Sequence, residues 1–425
     1  MVDTLSRLLG DGIHAWAIAT AAMVAAGCAL VGTLLVVRRM SLMGDAISHA
    51  VLPGIVLAVM AGGRPGGPLV IAGAVAAALI TVWLTQVFRS QGGLAEDAGA
   101  GVAFTTLFAL GVVLVTAAAS RIDLDPACVL YGVLELVPFD TVSLAGFEVP
   151  RAFVSASLVF TMLLLAAFLC WPRLVFASFD ASAARAAGLP VSTVTTGLLA
   201  ATALVTVAGF EAVGAILVVA LLVVPAATAE LLTRRLHRVA ALAIVLAVVA
   251  AVVGYLLAWR WNTSAAGMIA VVLGLQYAVG VLVAPEDGVV SRLWSRCWLH
   301  WRVACEDQLA ACWRFEEGST PRPAAALSVV DRLALWWLAV TGHVVVTSRG
   351  WMLSARGRIR ANTVVRSHRL WEAWLGRHAH LPLDHLHPPA EWIEHHLGAD
   401  VRRRIEADVG PDASDPHGRS IPPEA

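Results

Sequence analysis

The chain has 425 residues, of which 59% are hydrophobic and 14% charged, and its formal net charge at pH 7 is zero. Soluble globular proteins carry about 25% charged residues, so this composition argues against a wholly water-soluble protein. The neutral charge excludes a protein that coats nucleic acid. All 30 cationic residues are arginine, and a chain without lysine has neither a Walker A phosphate loop nor Schiff-base chemistry.

Charge is distributed unevenly along the chain. Residues 1–285 contain 13 arginines and 13 acidic residues, whereas the shorter region 286–425 contains 17 of each and ten of the 13 histidines. We therefore expect a membrane domain followed by an aqueous one. The six cysteines include no CxxC pair, so neither a disulfide framework nor a thiolate zinc site is expected.

The first region contains a series of long apolar runs. A helix that spans a bilayer needs roughly 20 mostly apolar residues, and this criterion predicts about nine spans. No cleavable signal peptide is expected, because the first apolar run is long and ends in Arg38 and Arg39, not at a small-residue cleavage site. The predicted spans lie near residues 14–37, 44–62, 67–88, 99–119, 152–172, 193–209, 212–233, 238–258 and 266–284.

Arginine in the short loops predicts the orientation of these spans. Arg38 and Arg39 follow the first span, and three further arginines follow the seventh. Because cytoplasmic loops are enriched in arginine, the N-terminus is expected outside the cell and residues 286–425 in the cytoplasm.

A carboxylate and an imidazole stand at the start of the second span, in RRMSLMGDAISHAVLPGI. Asp45 and His49 are four residues apart and therefore share one face of a helix. Such a pair suits manganese, iron or zinc, and ionisable groups entering a span are costly unless they face a pathway or a partner. The alternative is a helix cap at Asp45 with His49 at the headgroup level.

This motif resembles the signature of the metal-importing ABC permeases of the manganese, zinc and iron class. LYG at 130–132, FDASAARAAGLPVS at 179–192 and GFEAVGAILVVALLVVPAATAELL at 209–232 resemble later blocks of that family in the same order. The resemblance covers most of residues 10–285. It implies that Asp45 and His49 line the metal path.

The loop at 173–192 is a short alanine-rich stretch on the expected cytoplasmic side. Asp180 could cap its start, while Gly188 and Pro190 end it. From the residues alone an ordinary connecting helix is favoured. The permease resemblance implies instead that Asp180, Ala184 and Gly188 belong to the helix that couples to a separate ATPase subunit.

The C-terminal region divides into three predicted parts. Residues 286–304 are predicted to form a tryptophan-rich amphipathic linker helix, which either lies on the inner leaflet of the membrane or packs on the next domain. Residues 305–365 contain helices at 305–317 and 324–341 and two short strands, an order that suggests a winged-helix-like region. Residues 366–425 contain the end of a helix at 355–379 and another helix at 388–408.

Acidic and histidine side chains crowd the end of the chain. Glu391, Glu394 and His395 form E-x-x-E-H, and His368 and Glu372 are spaced i and i+4 on the preceding helix. Two helices with such sets resemble a carboxylate–imidazole site for manganese or iron. A solvated charged helix face is the alternative.

The segments VVRSHRLWEAWL, HPPAEWIEHHL and DPHGRSIP resemble the metal-binding and dimerisation part of the diphtheria-toxin-repressor family of manganese- and iron-dependent repressors. The resemblance implies a cytoplasmic metal site and an ancillary pair. Ala310 replaces one carboxylate of the manganese branch, which favours a single metal at the first site. The implied ligands are Asp307, His368, Glu391, Glu394 and His395, with Glu372 and His387 as the ancillary pair.

The helix-turn-helix of those repressors is shortened here by roughly two helical turns. The remaining helix carries Trp336 and Trp337, with only Arg322 and Arg332 as cations nearby. Recognition helices need base-reading side chains and cations for phosphates, so no DNA binding is expected.

Together the sequence predicts an all-helical polytopic membrane domain (1–285) with a mainly helical cytoplasmic domain. The expected function is the permease subunit of an ABC importer for manganese, iron or zinc, not an enzyme, fused to a metal-sensing domain. It would lie in a bacterial cytoplasmic membrane with an ATPase subunit, an extracytoplasmic metal-binding protein and a second permease, as a homodimer or a pair. A membrane-tethered metal-dependent transcriptional regulator is the alternative, and a membrane metallo-enzyme is disfavoured.

Overall fold

The structure is a computed structural model that describes residues 12–63, 67–92, 96–118, 132, 134–144, 146–285, 288–318, 327–348, 350–379, 393, 395, 397–410 and 414–423. The chain divides into two compact units, Met1–Ser291 and Arg292–Ala425. The finer division into four segments remains a prediction.

The first unit is built almost entirely from helices. In the part of the chain that the structure describes, nine helical segments are long and apolar enough to cross a bilayer, as the sequence predicted. The helices are α1 (Gly12–Val37), α2 (Leu42–Ala50), α3 (Leu52–Met60), α4 (Pro68–Gly92), α5 (Glu96–Ala118), α6 (Arg151–Phe179), α7 (Ala181–Ala186), α8 (Val191–Leu232), α9 (Leu236–Trp261) and α10 (Ala265–Val283).

Helix α1 is the most buried span and packs against α6, α8 and α9. Small residues allow this close packing. A Cβ atom on Gly32 of α1 would lie 1.8 Å from the carbonyl oxygen of Leu222 in α8. Helices α3 and α4 approach each other in the same way, because a Cβ atom on Gly54 would lie 2.1 Å from the carbonyl oxygen of Gly73. In a bilayer, small residues let helix backbones approach each other closely, so these glycines set the spacing of the bundle.

Helix α8 contains two of the nine spans, Val191–Phe210 and Ala212–Leu232. The backbone leaves the helical conformation at Gly214, which has φ 77° and ψ 165°. This φ lies in the region that side chains with a Cβ rarely adopt. Gly214 therefore allows the chain to change direction just inside the second of these spans, with no polar loop between the two.

A short hairpin precedes the fifth span. Strands β1 (Thr141–Leu144) and β2 (Phe147–Pro150) pair antiparallel, with Thr141 opposite Pro150. Nearby along the chain, Oε1 of Glu135 accepts a hydrogen bond of 3.2 Å from the backbone N–H of Ala265. This bond satisfies one of the free N–H groups at the start of α10.

The second unit consists of helices around a small hairpin. Helix α11 (Val289–Glu316) enters it, followed by α12 (Val329–Val340), strands β3 (Val344–Thr347) and β4 (Gly350–Leu353), α13 (Ala355–His378) and α14 (Ala399–Val409). Leu309, Leu335, Leu338 and Val344 form one core. Leu370 of α13 and Ile405 of α14 belong to a second, smaller one. The order of two helices and a two-stranded wing agrees with the predicted winged-helix-like fold.

Three predicted helix boundaries in this region are wrong. The amphipathic linker and the helix at 305–317 are one continuous helix, because no glycine or proline interrupts α11. The helix expected at 324–341 begins at 329, where Ser328 and Asp331 form a reciprocal capping box. The helix expected at 388–408 is interrupted, since Leu397 and Gly398 are not helical and α14 begins at Ala399.

Candidate metal sites

The predicted pair in the second span is in contact. Nε2 of His49 lies 3.3 Å from Oδ1 of Asp45, and both side chains are partly exposed. Ser41, not Asp45, occupies the cap position of α2, so the alternative interpretation of Asp45 as a helix cap is wrong. The imidazole of His49 also lies 5.8 Å, between ring centroids, from Phe108 of α5.

The backbone around this pair explains its placement. Helix α2 ends at Ala50 and α3 starts at Leu52, with Pro53 in the first turn of α3. Proline has no N–H to donate and is tolerated at such a start. A Cβ on Gly44 would lie 2.9 Å from Cδ1 of Leu222, so this glycine brings α2 close to α8. The acid–imidazole pair thus lies on a short half-helix packed against two spans.

Helix α7 corresponds to the predicted ATPase-coupling segment. Oδ1 of Asp180 accepts hydrogen bonds from the backbone N–H groups of Ser182 (3.0 Å) and Ala183 (2.8 Å) and from the Ser182 hydroxyl. The bond from Ala183 and the Ser182 hydroxyl hold the pKa of Asp180 below its ordinary value. Asp180 therefore caps α7, and Gly188 follows with φ 81°. Ala184 is fully buried.

Arg38 connects three helices at the same end of the unit. Its Nε donates to the hydroxyl of Ser178 at 2.9 Å, and a terminal nitrogen donates to that of Thr195 at 3.0 Å. These bonds join the end of α1 to the end of α6 and the start of α8. The capped helix α7 lies between those two helices in the chain, so its ends are fixed to the bundle.

In the second unit, one histidine lies between two carboxylates. Nδ1 of His395 is 2.8 Å from Oε2 of Glu306, and its Nε2 is 3.1 Å from Oδ1 of Asp307. The Glu306 side chain is 8% exposed and that of Asp307 50%. The structure thus brings together Asp307 and His395, two of the predicted ligands, and adds Glu306.

Glu306 is kept ionised although it is buried. Burial alone would raise its pKa, but the hydrogen bonds from His395 and Arg302 and their positive charges lower the pKa below its ordinary value. Nε of Arg302 donates to Oε1 of Glu306 at 3.0 Å, and Arg360 approaches to 3.7 Å. Because Oε2 contacts Nδ1, Glu306 fixes the ring so that Nε2 faces Asp307.

The other predicted ligands have different outcomes. His368 pairs with Glu372, its Nε2 lying 3.2 Å from Oε1, as expected for residues four apart on α13. Glu391, Glu394 and His387 lie outside the described residues. Glu306 was missed, although it is adjacent to Asp307; its burial, which only the tertiary structure defines, distinguishes it from the other acids of α11.

Comparisons with known proteins agree with this architecture. The sequence profile of the ABC 3 transport family matches residues 11–284, and that of the iron dependent repressor metal binding and dimerisation domain matches residues 354–423. The manganese transport system membrane protein MntD of Bacillus subtilis is 39% identical over 280 residues, covering 66% of this chain and 95% of MntD.

Two further similarities lie in the same region. The zinc transport system membrane protein TroD of Treponema pallidum is 37% identical over 64% of this chain and 74% of its own length. A solved structure of PsaBC from Streptococcus pneumoniae in complex with Fab has a TM-score of 0.57 and 28% identity, covering 68% of this chain and 98% of that one. The chain is therefore a multi-pass membrane protein that belongs to the ABC 3 transport family and carries a C-terminal repressor-type metal-binding and dimerisation domain.

Proposed function

We propose that this chain is the permease subunit of an ABC importer that moves a divalent transition metal into the cytoplasm, with manganese favoured over iron and zinc. The observation that carries the proposal is the contacting Asp45–His49 pair, on a broken span of a chain whose relatives include manganese and zinc transport proteins. A carboxylate and an imidazole bind these ions, and partial exposure lets an ion enter and leave.

In this proposal the membrane unit works with partners. An extracytoplasmic binding protein delivers the ion, a second permease completes the pathway, and a separate ATPase supplies the energy. The N-terminus is outside the cell and α7 faces the ATPase. The cap at Asp180 and the contacts of Arg38 support this role, because a coupling helix must transmit movement to the spans beside it without unwinding.

The C-terminal unit senses the transported metal and slows import when the cytoplasm is replete. An ion held by Nε2 of His395 and the carboxylate of Asp307 would leave the Nδ1–H group to Glu306. A carboxylate that orients a metal-binding histidine in this way is a recurrent second-shell arrangement, and its loss costs about 10- to 100-fold in metal affinity.

The surface of α12 favours a role in regulating transport over a role in DNA binding. Leu333, Trp336 and Trp337 are exposed on this helix, at the place where a recognition helix would offer polar side chains. Apolar side chains provide neither base-edge hydrogen bonds nor phosphate contacts.

The transport proposal is tested by manganese uptake into metal-starved cells that carry this chain with its ATPase and binding protein. Asp45→Asn and His49→Gln are each expected to lower the initial rate by about tenfold or more, the equivalent of about 1.4 kcal/mol. The matched control is His237→Gln, an exposed histidine at the start of α9, which should import normally. Unlabelled iron and zinc as competitors rank the ions.

Two outcomes would contradict the proposal. Import by both variants at the wild-type rate would remove Asp45 and His49 from the metal path, and a wild-type chain that imports no more than an empty vector would refute the transport function.

The sensor role is tested in cells preloaded with manganese, in which import by the wild-type chain should be slower but import by His395→Gln should not. Equal slowing in both would refute the role of His395.

A further inference from the structure

A cleft of about 620 Å³ lies between α1, α6 and the start of α8 in the membrane unit. Its walls are largely apolar and include buried leucines from all three helices, Leu30, Leu163 and Leu198. Gly197 of α8 also lines it, and a Cβ atom added there would meet no atom of another helix within 4 Å. None of the described lining residues belongs to α2 or α5, so the cleft is separate from the candidate metal path.

One end of the cleft is positively charged. Among the lining residues that the structure describes, Arg173 is the only charged one. No hydrogen bond or ion pair joins its exposed side chain to another residue in the described part of the chain. Arg38, one helical turn beyond Leu34 of the lining, adds a second cation at this end. Asp180, seven residues after Arg173, is engaged by the N–H groups of α7. This end therefore favours an anion.

The position of Arg173 along α6 corresponds to the level of the lipid headgroups. Arg151 and Arg173 are 22 residues apart on this helix, which is about 33 Å at 1.5 Å per residue. The hydrocarbon core of a bilayer is about 30 Å thick, so a helix with Arg151 at one surface has Arg173 at the other. Leu163, ten residues before Arg173, also lines the cleft. The apolar wall thus extends about 15 Å from the arginine into the hydrocarbon.

We propose that this cleft binds an anionic phospholipid, with the headgroup phosphate on Arg173 and an acyl chain along the apolar wall. A ligand that fits must be apolar over about 15 Å and negatively charged at one end, as phosphatidylglycerol is. Arginine pairs with phosphate through two parallel hydrogen bonds, and basic pockets between membrane helices bind such headgroups. Exposed Ala166 in the lining leaves the cleft open to a lipid from the side.

The bound lipid would contact the segment that joins α7 to α8. Leu189 and Pro190, which follow α7 in the chain, line the charged end of the cleft together with Arg173. An acyl chain between α6 and α8 fills space that the side chains of these helices leave open, because Ala166, Ala167 and Gly197 are small. The site does not depend on the transport proposal or on the metal that the chain carries.

The experiment uses the full-length chain, purified in detergent and incubated with phosphatidylglycerol that carries a photoreactive diazirine on one acyl chain. Crosslinked peptides are located by mass spectrometry after irradiation. The test variants are Arg173→Gln, which removes the charge, and Gly197→Leu, which places a side chain in the cleft. The matched controls are Arg151→Gln, at the other end of the same helix, and Gly274→Leu, at a glycine of α10 whose Cβ also meets open space.

Crosslinks are expected on residues 163–174 of α6 and 193–201 of α8. Unlabelled phosphatidylglycerol should compete at about fivefold lower concentration than phosphatidylcholine with the same chains, since an arginine near the surface discriminates by about that factor. Arg173→Gln should abolish this preference. Gly197→Leu should lower labelling about fivefold while eluting from size exclusion as the wild type does, and both controls should be labelled like the wild type.

Four results would overturn the proposal. Equal competition by the two phospholipids in the wild type would show that charge does not select the ligand, and wild-type labelling of Gly197→Leu would show that the lipid lies elsewhere. Crosslinks on the exposed face of α6, at Leu158 and Phe168, with none in the cleft would indicate lipid that only surrounds the bundle. Palmitate competing as well as phosphatidylglycerol would assign the cleft to a free fatty acid.

Discussion

Replacing Glu306 by glutamine should loosen the segment around His395 in metal-free protein. The carboxylate accepts one hydrogen bond of 2.8 Å from the imidazole and one of 3.0 Å from Arg302. Hydrogen bonds to charged groups are worth about 1.5–3 kcal/mol each and neutral ones about 1 kcal/mol. Arg302 is half exposed, so its contribution is screened. Because the amide oxygen retains one bond, we expect a net loss of about 2 kcal/mol.

This loss of local stability can be measured by hydrogen–deuterium exchange of backbone amides near His395, in the full-length chain in EDTA. The reporter is the amide of Leu397, which donates to the carbonyl of Ile393 at 3.2 Å. A loss of about 2 kcal/mol corresponds to roughly 30-fold faster exchange when opening is in rapid equilibrium. Asp307→Asn is the matched comparison, because its carboxylate contacts the same ring from a half-exposed position. It should cost less than about 1 kcal/mol, or about fivefold in rate.

The order of the two effects tests the reasoning. Buried charge partners are costly to lose and exposed ones are not. If Asp307→Asn accelerated exchange as much as Glu306→Gln, burial would not govern the strength of these contacts. If neither variant changed the exchange rate, His395 would be held by the surrounding chain and not by its carboxylates.

Three further predictions follow from the geometry. Gly32→Ala places a Cβ against a backbone carbonyl of the seventh span and should lower the free energy of unfolding by more than the ~1–3 kcal/mol of ordinary overpacking. The yield of folded protein from size-exclusion chromatography should collapse. The control Gly274→Ala, whose Cβ would meet open space, should behave as wild type. Asp180→Ala should uncouple ATP hydrolysis by the partner subunit from metal transport, and Asp180→Asn, which can still cap, should retain coupling; equal coupling in both would contradict the capping role. Because the folded-state pKa of Glu306 is lowered, its stabilisation is complete above the ordinary value of about 4.3 and is lost as pH falls through the lowered value. Melting curves in EDTA should therefore show a smaller acid loss for Glu306→Gln than for wild type, and an identical loss would contradict the assignment.

The membrane spans could be predicted from the sequence because the bilayer imposes a simple requirement. A segment that crosses it must satisfy its backbone internally and stay apolar for about 20 residues. This rule located nine spans in the described residues to within a few positions, except where α6 continues from the predicted end at 172 to Phe179. Helix ends are less constrained, because a helix can extend beyond the hydrocarbon until a cap such as Asp180 ends it.

Residue spacing alone predicts candidate sites only where their residues are close in the chain, and Asp307 and His395 were expected to act together only from the family resemblance. Asp45–His49 and His368–Glu372 follow from the i, i+4 spacing of a helix. Glu306 and His395 are 89 positions apart. Residues 414–423 contact α13 through side chains of that helix that bond the backbone of the segment, as Arg369 does with the carbonyl of Ser420. Neither contact leaves a periodic signal, because each depends on how the helices of the second unit pack.

The acid–imidazole groups differ in how firmly the protein holds them, and the difference agrees with the roles proposed for them. Asp45 and His49 are both partly exposed and contact each other at 3.3 Å. A transport site must bind an ion strongly enough to accept it and weakly enough to release it. His395 is buried and both of its nitrogens face carboxylates, one of them the ionised and buried Glu306. A ring fixed in this way loses little conformational freedom when an ion binds, which favours retention. The residue types are nearly the same in the two units, so burial and second partners, not ligand identity, distinguish the proposed transport path from the proposed sensor.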